Sequence, residues 1–146
     1  MKTASLMNEF REMFPQHGEF TLSRDQSIST TVKEHDVPNK PGAYVISSVT
    51  PSRTEVVYIG KSGTVITDGS WKNQGLRKRL TKKQGNESRS VFFKRYMEKH
   101  SLAGLHFEWF VTFGSESEVL PIFAEAQLLQ AFFCEHQRLP HLNACA

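Results

Sequence analysis

Two tyrosines sit in short apolar runs with a glycine beside each, Gly42-Ala43-Tyr44 and Tyr58-Ile59-Gly60, and Lys61 follows directly. Further along come Arg79, inside Leu76-Arg77-Lys78-Arg79-Leu80, then Glu125 in a largely apolar stretch, then Asn143. Phosphodiester hydrolysis needs a positioned water, neutralised charge on the phosphate oxygens and help for a leaving alkoxide. These residue types match those needs. An arginine's planar fork can clamp a phosphate through two hydrogen bonds. A carboxylate can hold a divalent cation whose remaining positions water fills. A tyrosine can orient the attacking water, or deprotonate it if its pKa falls well below about 10. Taken singly, each is an ordinary strand aromatic, solvated helix cation, surface carboxylate or turn residue. The chemistry exists only if these distant residues meet.

The elements that must bring them together can be read in outline. The runs 43–49 and 55–60 are rich in Val, Ile and Tyr and read as strands, with Thr50-Pro51-Ser52-Arg53-Thr54 as the hairpin loop. A loop of that length sets Val49 opposite Glu55, Tyr44 opposite Gly60 and Ile46 opposite Tyr58, the last four on one face. The tyrosines are then diagonal neighbours, with Gly60 leaving space in front of Tyr44, whereas a slip of one residue sends them to opposite faces. Residues 62–75 read as a loop, 76–83 as a short basic helix ending near Gln84-Gly85-Asn86, and 88–100 as a helix with Val91, Phe92, Phe93 and Tyr96 on its apolar stripe. A strand over 105–113 follows, with Phe107, Trp109, Val111 and Phe113 on one face. The last helix covers 119 to about 135, capped by Ser115 or Ser117, with Pro121 in its first turn and Leu120, Phe123, Ala124, Leu128, Ala131 and Phe132 facing the core.

The order β-β-α-α-β-α describes an α/β (α+β) domain over 41–146, a small, mostly antiparallel three-stranded sheet flanked by helices. Residues 1–40 read as a polar arm with a short helix around Glu9 to Phe14 and loosely spaced Phe20, Leu22, Ile28 and Val32. The turn signal Val37-Pro38-Asn39-Lys40-Pro41-Gly42 separates this arm from the main body, on which it packs unless it contacts a partner.

With 38% hydrophobic and 23% charged residues in 146, the composition is that of one soluble globular domain rather than a disordered or fibrous chain. No apolar run approaches the roughly 18 residues of a membrane span and no signal-type segment opens the chain, so a cytoplasmic location is expected. Cys134 and Cys145 form no disulfide framework, and with His136 and His141 they match no zinc-finger spacing. Charge is unevenly placed. Between Trp71 and Lys99 ten cations face two carboxylates, a net of +8 in a chain of net +3, which leaves −5 for the rest. Such a block is the electrostatic footprint of a phosphate-backbone binder.

These residues resemble the GIY-YIG nucleases, a family named for Gly-hydrophobic-Tyr on one strand and Tyr-hydrophobic-Gly on the next, here Gly42-Ala43-Tyr44 and Tyr58-Ile59-Gly60 with the frequent following lysine, Lys61. The family's helical Leu-x-x-Arg-hydrophobic pattern matches Leu76 to Leu80 with Arg79 as its arginine. Its glutamate, three residues before a leucine, matches Glu125 and Leu128, and its closing Pro-x-x-Asn matches Pro140-His141-Leu142-Asn143. The likeness covers about residues 41–144. Ala43 replaces a larger aliphatic residue, the segment between Lys61 and Leu76 is longer than in repair-type members, and residues 134–139 lengthen the path from Glu125 to Asn143.

The resemblance implies an endonuclease that hydrolyses DNA, duplex or branched, with Mg²⁺ or Mn²⁺ held by Glu125. Tyr58 would position or activate water, with Lys61 and the cation as the charges able to lower its pKa. Tyr44 would hydrogen-bond the phosphate or the water, Arg79 would clamp the phosphate, and Asn143 would tether the site or the substrate backbone. Gly60, Lys72, Arg77, Lys78, Lys82 and Lys83 would line the substrate. Arg77 and Arg79 lie about 200° apart on a helix, so only one of them can face the site; the Arg79-Leu80 context favours Arg79. A restriction-type enzyme cutting both strands would need two sites, which favours a homodimer or transient pairing on DNA. The competing reading is a catalytically silent nucleic-acid-binding module, which would ordinarily have lost Glu125, Arg79 or a tyrosine.

Overall fold

The computed structural model describes residues 2–82 and 87–146. Around the two tyrosines the hairpin forms, from strands β2 (Gly42–Val49) and β3 (Thr54–Ser62), with Tyr44 opposite Gly60 and Ile46 opposite Tyr58. The register is reached by a different route from the one the sequence suggests. The loop is one residue shorter, since Val49 pairs with Thr54 rather than Glu55. A bulge at Ile46/Ser47 then absorbs Val57, which has no partner across β2. Without the bulge, Tyr44 would face Ile59 and Tyr58 would face Val45, on opposite sides of the sheet. Val57 is buried in the core, which holds the extra residue in place.

The sheet has four antiparallel strands rather than three, in the order β1-β6-β2-β3. The N-terminal segment supplies the additional one. It begins with helix α1 (Thr3–Met13), continues through β1 (His17–Ser23) and ends with helix α2 (Ile28–Glu34). Within β1 only Phe20 and Leu22 are buried, at the period of two that one strand face requires. Strand β6 (Gly104–Val111) lies between β1 and β2 and is buried almost throughout.

Helices cover both faces. Helix α2, α3 (Leu76–Thr81) and α4 (Arg89–Lys99) pack over Tyr44, Ile46, Phe107 and Trp109, while α1 and α5 (Pro121–His136) pack over Ala43, Val45, Ile59 and Phe110. A two-stranded ribbon, β4 (Thr64–Val65) with β5 (Trp71–Lys72), stands where a plain loop was expected. Ser88 caps α4 by accepting a hydrogen bond from the Val91 amide, and Phe93 and Met97 form its buried stripe, with Val91 exposed. Helix α5 starts at Pro121 rather than 119, so Leu120 and Phe123 lie outside the buried face that Ala124, Leu128, Leu129, Ala131 and Phe132 make.

A row of residues crosses the sheet as Gly18, Trp109, Tyr44 and Gly60. The two large rings fill the middle, and each leans over a glycine at the sheet's rim. A Cβ on Gly18 would meet the Trp109 ring at 2.6 Å, and one on Gly60 would meet the Tyr44 hydroxyl at 2.7 Å. Strand β3 is the sheet's outer edge on this side, and the C-terminal segment covers it. Leu142 donates its amide to the Val57 carbonyl (2.9 Å), and Asn143 binds both backbone groups of Ile59. That pairing occupies an edge otherwise open to another strand. Among the described residues no helix is long and apolar enough to cross a membrane.

Candidate active site

Arg79 is the point at which the two faces of the sheet meet. It lies three residues after Leu76 on α3, so it shares the side of the helix that packs inward. Gly75 lets that helix start hard against the preceding chain, where a Cβ would come within 2.3 Å of the Asn39 carbonyl carbon. The Leu76 amide then donates to the Lys40 carbonyl at 2.9 Å and fixes the helix's entry. The Arg79 guanidinium faces a cavity of about 320 Å³ with Tyr58, Arg89, Phe92 and Asn143, and one of about 460 Å³ with Lys61, Lys82 and Glu125.

The tyrosines sit on the first side. Their rings are 5.9 Å apart between centroids, tilted by 37°, over the space that Gly60 leaves. Tyr44 is 1% exposed, whereas Tyr58 is half-buried and lines the cavity. Burial pushes the Tyr44 phenol far above its ordinary pKa, the neighbouring Tyr58 adds to that, and Arg79 and Arg89 offset it only in part. Tyr44 therefore keeps its proton. Burial alone would lower the pKa of Arg79, but the adjacent phenols more than offset this and leave it raised. Its Nε is buried and has no hydrogen-bond partner among the described residues. Such an orphaned, solvent-inaccessible donor is uncommon in a folded protein, and Thr3 Oγ1, Trp109 Nε1 and Thr112 Oγ1 share that state.

Glu125 and Lys61 belong to the opposite side of the sheet. Lys61 follows Gly60 on β3 and so projects to the face of α5, where Glu125 lies between buried Ala124 and Leu128. Both reach the end of the edge strand, and there they join Arg79 around the larger cavity. Burial raises the pKa of Glu125, while Lys61 and Arg79 pull it back. Ser62, Gly63 and Thr64 with Asn73 and Gln74 from the ribbon complete the wall. Asn73, just past β5, donates to the Thr64 hydroxyl on β4 at 3.0 Å.

Asn143 does not project into this space as a free group. Its Oδ1 accepts from the Ile59 amide at 3.0 Å and its Nδ2 donates to the Ile59 carbonyl at 2.8 Å. It holds the strand that carries Tyr58. The basic block divides. Lys82 lines the larger cavity beside Glu125. Arg77 points away, with its Nε donating to the Val37 carbonyl at 2.8 Å, and Lys78 and Lys72 are exposed. Lys83 lies outside the described residues.

Sequence reading passed over Arg89 as a member of the site. It opens α4 and faces Tyr58, with its guanidinium over the Phe93 ring and its Nε donating to the Lys82 carbonyl at 2.7 Å. The available signal was its place four residues before buried Phe93, on one side of a helix. A second carboxylate group, Glu19, His106 and Glu108 on β1 and β6, brings potential ligand atoms within 4.8 Å of one another. Arg11 engages both oxygens of Glu108, and His106 is placed between Glu19 (3.5 Å) and Thr21 (3.1 Å), so the group satisfies itself. Comparison of the chain with family models, with curated proteins and with solved structures gives no match.

Proposed function

We propose that this chain is a metal-dependent endonuclease of the GIY-YIG type, hydrolysing phosphodiester bonds in DNA. The observation that carries the reading is the convergence on Arg79. A half-buried guanidinium lines the cavity of Tyr58 on one side and the cavity of Glu125 and Lys61 on the other.

In this reading the scissile phosphate lies against Arg79, whose terminal nitrogens donate to its oxygens. Tyr58 holds the attacking water and orients it, because its ring lines the cavity that Arg79 faces. Tyr44, buried and protonated, keeps Arg79 and Tyr58 in place from behind. Lys82 and Arg89 hold the neighbouring strand electrostatically. The residues present suit one weakly held divalent cation, since Glu125 is a half-buried carboxylate in a polar-walled cavity and the nearby cations disfavour a tighter site. Glu125 would be its protein ligand, and the charge of a Mg²⁺ or Mn²⁺ held there would offset that of the phosphate and the leaving oxygen.

Incubation of supercoiled plasmid and branched duplexes with Mg²⁺ or Mn²⁺ tests this. Wild type is expected to cleave, Glu125→Ala to be inactive, and Arg79→Lys to lose about 100-fold or more, since an ammonium cannot reproduce the fork. Cleavage that survives Glu125→Ala, or wild-type protein inert on every substrate with either metal, means the assignment is wrong.

A further inference from the structure

An open groove of about 790 Å³ lies beyond the site, between α4, the β2–β3 loop and the C-terminal segment. Arg53, Phe92, Arg95, Tyr96, Lys99 and His100 are among its lining residues. Phe92 and Leu142 line both this groove and the cavity that holds Tyr58, Arg79 and Arg89. The two recesses are therefore neighbours, and the trough they form leads from Arg79 along α4 to Lys99.

The side of α4 that faces this trough has a pattern. Arg89, Phe92, Tyr96 and Lys99 recur at spacings of three and four, the repeat of one helix face, over about 15 Å. Cations thus stand at both ends of the face and aromatic rings between them. The Tyr96 and His100 rings lie 4.5 Å apart between centroids, and Phe92 and Tyr96 are partly recessed. Arg95 pairs with Glu87 but its side chain stays 64% exposed, and Lys99 makes no ion pair among the described residues. Glu55 is the carboxylate of the groove, and it is engaged by Arg138 (3.0 Å), Arg53 (3.4 Å) and His141 (3.8 Å). The groove's unspent charge is positive.

A paired duplex presents phosphates to such a surface but hides its base faces. Recessed aromatics between cations suit bases that are already unstacked, because every base offers a face to a ring while the cations track the backbone. We propose that this groove binds unpaired nucleotides adjoining the scissile phosphate, so that the preferred substrate is a duplex carrying a single-stranded branch. The proposal rests on the nuclease reading of the Arg79 site and names the substrate class for it.

Fluorescence anisotropy in EDTA measures binding without cleavage. The probes are a labelled duplex, the same duplex with an oligothymidine flap, and the flap strand alone. The flapped duplex is expected to bind about tenfold tighter than either of the others, and Tyr96→Ala to remove that advantage without changing duplex binding. Tyr96→Phe, which keeps the ring, should retain it. The exposed pair Arg95→Gln with Lys99→Gln should make the slope of log affinity against log salt shallower by about 1.4 for the flapped probe. Equal affinity for flapped and plain duplex, or flap binding untouched by Tyr96→Ala and the double variant, overturns the groove assignment while leaving a duplex nuclease intact. No binding to any of the three probes, together with no cleavage, overturns the nuclease reading beneath it as well.

Discussion

A buried guanidinium nitrogen without an acceptor costs a fold about 1–3 kcal/mol, and Arg79 Nε is in that state beside two phenols. Arg79 also lines both cavities, so inorganic phosphate or a short oligonucleotide held there by its terminal nitrogens should raise the melting temperature of wild type and not of Arg79→Met. Glu125 gives a prediction whose sign can be worked out. Burial raises its pKa, so its ionised form is the one the fold disfavours. Folded protein then binds the proton over a window where unfolded protein has released it, and stability falls as pH rises through that window. Glu125→Gln should therefore melt higher than wild type at neutral pH and no higher well below the carboxyl range. Activity should follow the opposite course, failing on acidification sooner than an ordinary carboxylate would dictate, because cation binding needs the charge. Thermal melts and rate profiles across acid pH check both halves. Gly60 is the remaining sensitive residue. A methyl there meets Tyr44 and Tyr58 at 2.7 Å, and Gly60→Ala should cost about 1–3 kcal/mol in denaturant unfolding and lower kcat by displacing Tyr58.

At the scale of elements, the site depends on the edge strand β3 and on what holds it. Asn143 supplies two hydrogen bonds to Ile59, next to Tyr58 and Gly60. Asn143→Ala should cost about 1–3 kcal/mol and speed hydrogen exchange at the Ile59 amide, with the other strands unaffected. An unchanged Ile59 exchange rate would remove Asn143 from this role. The same hairpin shows how far sequence could be read. The pairing of Tyr44 with Gly60 was legible, but through two offsetting differences: a loop one residue shorter than its composition suggested, and a bulge that no local signal announces. Bulges arise because a buried residue such as Val57 finds space in the core, and that is tertiary information. The short helix bearing Arg79 was legible as a basic run from Leu76, and it ends at Thr81, two residues before the bound expected. The β4–β5 ribbon was not, since a pairing of two residues per strand falls below any periodicity. Similarly, α5 begins at Pro121, whose fixed φ suits a first helical position, and no serine upstream captured its start.

For the whole molecule, the question is whether residues 1–40 are an accessory or part of the fold. Composition made them an arm, packed on the domain or contacting a partner, because Phe20, Leu22, Ile28 and Val32 are loosely spaced in a polar run and the turn at Pro41-Gly42 looks like a boundary. In the structure β1 pairs with β6 over its full length, and Phe20 stacks on Phe107 with ring centroids 4.8 Å apart. On the other face Phe10 and Phe14 are fully buried, and the Phe10 ring meets Phe110 edge-on at 5.4 Å. Arg11 from α1 also pairs with Glu108, a carboxylate buried on β6 that water alone could not reach. Removing residues 1–24 would leave that carboxylate without its partner, open the flank of β6 and expose Phe107 and Phe110 together. A protein lacking them should be insoluble or lack a cooperative melt, even though every proposed site residue lies in 41–146. Phe10→Ala offers the milder form of the test, with an expected loss of about 3–5 kcal/mol in denaturant unfolding. Its cleavage rate, measured well below its melting temperature, should stay near that of wild type, because α1 packs on α5 at a distance from the Arg79 cavities. A truncated chain that melts cooperatively and cleaves as wild type would return the segment to the status of an arm.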